Sequence, residues 1–245
     1  MAPRGGASTT PAPLAEVPAR RDWWVRALAV WNVAVFAAWI AAPFAVAGRV
    51  AWGAGWAHLG AVAAGLLAHG AWVARRNPEL RRHRRSIGPG TKRWDLAWNL
   101  FHWPLMASIA VAAGLEARQG ASPMPPPIFG VGLLLLGAGM AANAWAMAVN
   151  PYFEGTVRIQ AERGHRVVDA GPYRLVRHPG HLGLVLWALG SPFLLLSVRA
   201  LAPSALAAAW VVLRTALEDA TLRRELDGYS DYARRVRFRL VPGLW

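Results

Sequence analysis

Residues 171–217 read GPYRLVRHPG HLGLVLWALG SPFLLLSVRA LAPSALAAAW VVLRTAL. Two apolar runs, about His181 to Val198 and about Leu201 to Leu217, are joined by a tight turn around Arg199. Gly190 and Pro192 interrupt the first arm, and the second continues past the membrane as Arg214 to Leu226. The pattern predicts a helical hairpin sunk in lipid, since only a helix satisfies its own backbone there. The preceding stretch, Gly171 to Gly183, packs arginines, a tyrosine and two histidines between glycines and prolines. It predicts a shaped loop entering a helix near His181, and such residues at a membrane boundary point to binding.

Four further apolar runs lie upstream: about Trp23 to Ala47, Ala51 to Ala74, Leu96 to Leu115 and Ile128 to Val149. At ~1.5 Å per residue each reaches across a ~30 Å hydrocarbon core or nearly so. The chain has 245 residues, 55% hydrophobic and only 16% charged, with 14 tryptophans. Mean hydropathy is +0.26. This is membrane-protein composition, and interfacial belts account for many of the tryptophans. With no cysteine, disulfide and thiolate chemistry are excluded.

The formal charge of +14 is concentrated between the apolar runs. Basic segments are the N-terminal tail, residues 75–93, residues 151–179 and the C-terminal tail. The segments at 48–50, 116–127 and 199–200 are weakly charged. The strict alternation predicts six crossings with both termini in the cytoplasm, and no nucleic-acid partner. Residues 1–22 read as a disordered cytoplasmic tail, 23–149 as four transmembrane helices, and 150–245 as a C-terminal region that carries the helical hairpin. The expected fold is thus an all-α integral membrane protein of about six helices. Its C-terminal hairpin and cofactor-binding loops meet at the cytoplasmic face.

Polar residues within the runs have two readings. His58 and His69 are eleven apart, on one helix face. Three or four converging ligands are needed for a metal, so hydrogen bonds to neighbouring helices are the favoured reading and no metal is expected. Asn143 and Asn150 share a face of the fourth run, where asparagine either bonds a neighbour or lines a polar pocket. Glu218 and Asp219 either face the arginine-rich loop across a ligand or pair with Arg214, Arg223 or Arg224.

From about Asn150 onward the chain resembles the isoprenylcysteine carboxyl methyltransferase family, a relative of the membrane phospholipid N-methyltransferases. The landmarks are Gly164 to Tyr173, then Arg177-His178-Pro179 with Gly183, and Arg214 with Glu218-Asp219. Tyr229, Tyr232, Arg235 and the closing Leu240 to Trp245 complete the set. The family usually has Tyr where this chain has His181, and a second Glu where it has Asp219.

The resemblance implies S-adenosylmethionine-dependent methyl transfer to a lipid-like or prenylated acceptor, with O-methylation of a carboxylate favoured. It implies donor contacts from His165, Tyr173, Arg174, His178, Pro179, Gly183, Glu218 and Asp219. Arg177 would hold a carboxylate acceptor, and His178 or His181 would serve as base for an amine or thiol. Asn143, Asn150 and Arg214 would border the acceptor. Two alternatives stand beside it: a nicotinamide-dependent membrane reductase of the sterol type, and a non-enzymatic transporter or scaffold.

Overall fold

The computed structural model describes residues 23–80, 90–120 and 124–245. The expected N-terminal tail, residues 81–89 of the basic loop, and Ser122 and Pro123 lie outside the described residues. Among those described, regular structure is entirely helical. The helices are α1 (Trp23–Ala47), α2 (Gly53–Arg76), α3 (Arg93–Arg118), α4 (Ile128–Val149), α5 (Pro179–Leu194), α6 (Leu201–Glu225) and the short α7 (Tyr229–Arg235). Single 3-10 turns at Ala161–Arg163 and Gly171–Arg174 punctuate the loop between α4 and α5.

Five helices, α1 to α4 and α6, are long and apolar enough to cross a membrane. The fifth run behaves differently. α5 has 16 residues, so it rises only about 24 Å. It stops at Leu194, four residues short of the apolar run's end, because the chain turns left-handed at Leu196 (φ 51°). Beyond it, Ser197 Oγ accepts from the Ala200 amide and bonds Glu116 of α3, closing the α5–α6 turn. α5 is also largely buried, held among α4, α6 and α3 rather than exposed to lipid.

Helix directions alternate, so the end of α2, start of α3, end of α4, start of α5 and end of α6 share one end of the bundle. Asn77 donates from α2's C-cap to the carbonyls of Met147 and Asn150. Lys92 N donates to Val157 O just before α3. At the other end, Arg49 reaches Ala117 O, and Met124 N donates to Leu196 O.

Besides Pro43 in α1, two prolines inside helices, Pro104 and Pro192, could each leave a carbonyl unpaired, which is costly in lipid. Pro104 deprives Leu100 O of its usual donor, and Trp31 Nε1 of α1 supplies one at 3.2 Å. Pro192 does the same to Ala188 O, and Ser204 Oγ of α6 donates to it at 2.7 Å. The neighbouring helices therefore dock where the prolines open the ladder.

The tightest packing joins α4 to α5. Gly132 and Gly139 face Gly190 and Gly183, so the two backbones nearly touch. A Cβ on Gly183 would stand 2.5 Å from Gly139 O, and one on Gly139 would stand 2.6 Å from Gly183 O. Small residues at such crossings gain dispersion contacts that hydrophobicity cannot supply between lipid-solvated helices. By contrast, α1 packs on α3 and α2 packs on α4, with α2 and α3 not packed together along their lengths. That leaves a cleft between α2 and α3.

The α4–α5 contact generates a direct prediction. Gly183→Ala should lower the unfolding free energy by about 1–3 kcal/mol through overpacking. Gly137→Ala on the same bundle's exposed face has open space around it and should be neutral or better. Thermal unfolding of both variants in one detergent measures the difference.

Candidate active site

The arginine-rich loop and the end of α6 meet. His178 is the N-cap of α5, followed by Pro179 at the first helical position, where no amide hydrogen is needed. On α6, Arg214 and Glu218 are four residues apart and project together, while Asp219 turns to another side. The result is a chain of buried charges that begins on α3 and ends on the C-terminal segment.

Asp95 opens that chain. It sits in the first turn of α3, fully buried, with Oδ2 accepting from Val157 N at 2.7 Å and Oδ1 from Arg214 Nε at 2.8 Å. Arg214 also stacks over the Trp98 ring at 4.3 Å and donates toward Gly155 O. Its Nη1 donates to His181 Nε2 and lies 3.4 Å from Glu218. His181 is fixed in one tautomer. The Thr215 hydroxyl gives its proton to Val211 O at 2.8 Å, so it accepts from His181 Nδ1–H at 3.0 Å. The remaining lone pair on Nε2 is capped by Arg214.

Glu218 is the carboxylate that stays accessible, at 22% side-chain exposure. Around it stand His178 at 3.6 Å, His181 at 3.5 Å and Arg214 at 3.4 Å. Asp219, beside it in sequence, is wholly buried. Arg177 grips it with Nε at 2.7 Å and Nη2 at 3.3 Å, and Arg223 and Arg239 each donate at 3.0 Å. The Tyr229 hydroxyl donates to Asp219 Oδ1 at 3.0 Å and lies 3.2 Å from His178 Nε2. Burial and the Asp219 charge push the Tyr229 phenol well above its ordinary pKa, so it remains a donor. Burial works against a charged His178, but hydrogen bonds and charges from Asp219 and Glu218 more than offset it. Its pKa is raised above 6.5.

These positions correct several expectations. Arg177 is not free to hold an acceptor, because its other donors go to the carbonyls of Val236 and Arg237 at 2.8 Å each. Asp219 is not free for a donor molecule either, since three arginines and a tyrosine surround it. Together they fasten the C-terminal segment to the loop. Arg174 is exposed and lies outside the cavity wall. His181, with both nitrogens engaged, positions Arg214 rather than standing ready as a base. Gly183 is the α4 packing contact described above.

The asparagines hold elements together. Asn143 accepts from His69 at 2.9 Å and donates to Gly180 O at 2.9 Å, linking α2, α4 and α5. His58 likewise bonds Ser191 of α5, so both histidines of α2 tie helices together. Asn150 donates to the Tyr173 hydroxyl and accepts from Tyr152 N. Tyr173 is itself anchored, its carbonyl accepting from Tyr232 OH at 2.8 Å.

A cavity of about 680 Å³ runs past this network. That falls within the range of small-molecule sites. Its polar part is walled by Glu218, His178, Arg214 and the loop residues Tyr152, His165 and Arg166. His165 packs on Tyr152 with ring centroids 4.5 Å apart. Burial, then the Arg158 and Arg163 charges, hold its pKa near 4, so it is neutral at pH 7. Arg158 is matched bidentately by Glu154 and also bonds Glu162. Arg166 makes no ion pair among the described residues. The other part of the cavity is apolar and reaches into the α2–α3 cleft, between Leu66 and Val73 on one side and Trp98 and Trp103 on the other.

Asp95, Trp98, His102, Thr215 and Tyr229 went unassigned from sequence. A lone acid opening an apolar helix was the available signal for Asp95, since first-turn acids complement the helix dipole.

Residues 131–224 match the profile of the isoprenylcysteine carboxyl methyltransferase (ICMT) family. Protein-S-isoprenylcysteine O-methyltransferase B of Arabidopsis thaliana is 26% identical over 110 residues, covering 44% of this chain and 55% of that protein. Its A counterpart is 29% identical over 105 residues, 43% of this chain and 50% of the relative. A probable protein-S-isoprenylcysteine O-methyltransferase of Oryza sativa subsp. indica is 42% identical over 43 residues, 18% of this chain and 22% of the relative. The chain thus spans about half, or less, of the length of the curated relatives it matches.

Two predictions follow from the charge chain. Asp219→Ala leaves Arg177 buried without its carboxylate and should cost about 3–5 kcal/mol of stability. Protease release of the segment after Val236, followed by mass spectrometry, should rise in parallel. Because folding raises the His178 pKa, its protonated form stabilises fully below about 6.5 and the contribution fades as pH climbs through the raised value. The thermal-stability gap between wild type and His178→Gln should therefore narrow as pH is raised.

Proposed function

We infer that this chain, whose residues 131–224 match the isoprenylcysteine carboxyl methyltransferase family, belongs to that family and is a membrane-embedded methyltransferase. It uses S-adenosylmethionine and acts on a lipid-like or prenylated acceptor, with a carboxylate as the favoured methyl-accepting group. The observation that carries this reading is the accessible Glu218 carboxylate on a cavity with a polar loop end and an apolar cleft end.

The residues fit such a donor. Glu218 suits its ammonium or ribose hydroxyls, with His178 3.6 Å away beside it. Arg166, which makes no ion pair among the described residues, suits its carboxylate. Tyr152 and the neutral His165 offer ring faces to a flat base. When bound, S-adenosylmethionine supplies a methyl group already activated on sulfur, so the protein's work is alignment.

Arg214 stands where the polar and apolar parts meet. Asp95, Trp98 and His181 fix its plane, and one Nη2 hydrogen remains for an acceptor oxygen. A carboxylate acceptor is ionised at pH 7 and needs no base. That agrees with His181 having both nitrogens occupied. The acceptor's tail enters sideways through the α2–α3 cleft. The site faces the cytoplasm, where the basic loops lie.

Purified protein in nanodiscs, given radiolabelled S-adenosylmethionine and an S-farnesylcysteine amphiphile, should yield a base-labile labelled ester. Glu218→Gln should bind S-adenosylhomocysteine about 10- to 100-fold more weakly while staying folded. A folded wild type that neither binds the nucleoside nor forms the ester overturns the reading.

A further inference from the structure

α3 brings to the cavity a pair of polar groups that the charge chain leaves unused. His102 is 1% exposed and lines the wall, yet neither ring nitrogen has a hydrogen-bond partner among the described residues. Trp98 Nε1 is buried and unpartnered in the same way. The two rings stack at 4.2 Å and 18°, and Trp103 closes edge-on against His102 at 5.0 Å. Every other described histidine bonds a neighbour: His58 to Ser191, His69 to Asn143, His165 to Gln160, His181 to Thr215, and His178 to Asp219.

Buried polar atoms without partners are rare and call for a reason. Here a reason is at hand. Arg214 is a weak receptor for an anion by itself, because Asp95 at 2.8 Å and Glu218 at 3.4 Å already face it. A carboxylate arriving there needs further donors that carry no charge to be cancelled. Trp98 holds the Arg214 guanidinium over its ring and offers an indole N–H. The His102 imidazole offers a ring N–H. Next to them, Trp103, Leu184 and Trp187 form apolar wall for a chain.

We propose that His102 and Trp98 are specificity-determining residues for the acceptor: they hydrogen-bond the polar head of a carboxylate-bearing amphiphile whose tail lies along Trp103 and Leu184. The proposal rests on the acceptor class inferred above, but it concerns α3, outside the family-matched residues.

The test uses the full chain in nanodiscs without methyl donor. The probes are N-acetyl-S-farnesylcysteine and its methyl ester, with S-adenosylhomocysteine as a separate ligand, all read by calorimetry. Wild type should prefer the carboxylate. His102→Phe keeps the stacked ring and should bind the carboxylate about 3- to 10-fold more weakly, with ester and nucleoside affinities unchanged. Its thermal stability should hold or rise, since an unpartnered buried group has been removed, which a structural role for the imidazole would not allow.

A folded His102→Phe with the wild-type carboxylate preference overturns the proposal. Should that variant fail to fold, Trp98→Phe decides, and unchanged preference there overturns it equally. Wild type that binds the nucleoside but not the carboxylate probe sinks this assignment and spares the donor site. Carboxylate binding without nucleoside binding spares this assignment and sinks the donor site.

Discussion

Asp219 is a carboxylate with no water around it. Its charge is tolerable only because Arg177, Arg223, Arg239 and the Tyr229 hydroxyl converge on it. Those partners come from the loop before α5, from α6 and from the C-terminal segment. One buried charge thereby gathers three parts of the chain, beside the apolar cluster of Tyr173, Leu222, Tyr229 and Tyr232 that joins the same parts. It also turns Tyr229 and His178 toward each other and leaves the neighbouring Glu218 as the carboxylate on the cavity.

A second buried acid does the same work on the other side. Asp95 binds Arg214 and the Val157 amide, so α3, α6 and the loop after α4 share one anchor. Between the two anchors runs a continuous set of contacts through Arg214, His181, Glu218 and His178. Rigid support of this kind matters for a reaction that depends on alignment, because the supporting groups are locked before any ligand arrives. The close α4–α5 crossing contributes likewise, since it fixes where Gly180 and His181 begin their helix.

Apolar run lengths and the alternation of basic segments made the bundle legible in the sequence. The end of α5 was not, because a left-handed Leu196 leaves no mark in hydropathy. Pro192 looked like an interruption, and only the Ser204 hydroxyl on another helix makes it compatible with one. At the site, residue types pointed to two segments that the fold brings together, yet the division between Glu218 and Asp219 was hidden. Adjacent residues on a helix face different ways, and which way faces the cavity is set by partners sixty residues or more apart in the case of Arg177 with Arg237. Arg177 read as a ligand-binding loop arginine for the same reason. Asp95 and His102 belong to a helix that the resemblance did not cover, so nothing local distinguished them from helix-capping and packing residues.

The central claim is that Glu218, not Asp219, faces the methyl donor. An experimental structure with S-adenosylhomocysteine bound tests it most directly. The account predicts ligand density in the cavity touching Glu218 and His178, with the Asp219–Arg177 pair intact and out of contact. Density that contacts Asp219 after breaking that pair, or that lies outside the cavity, would contradict it.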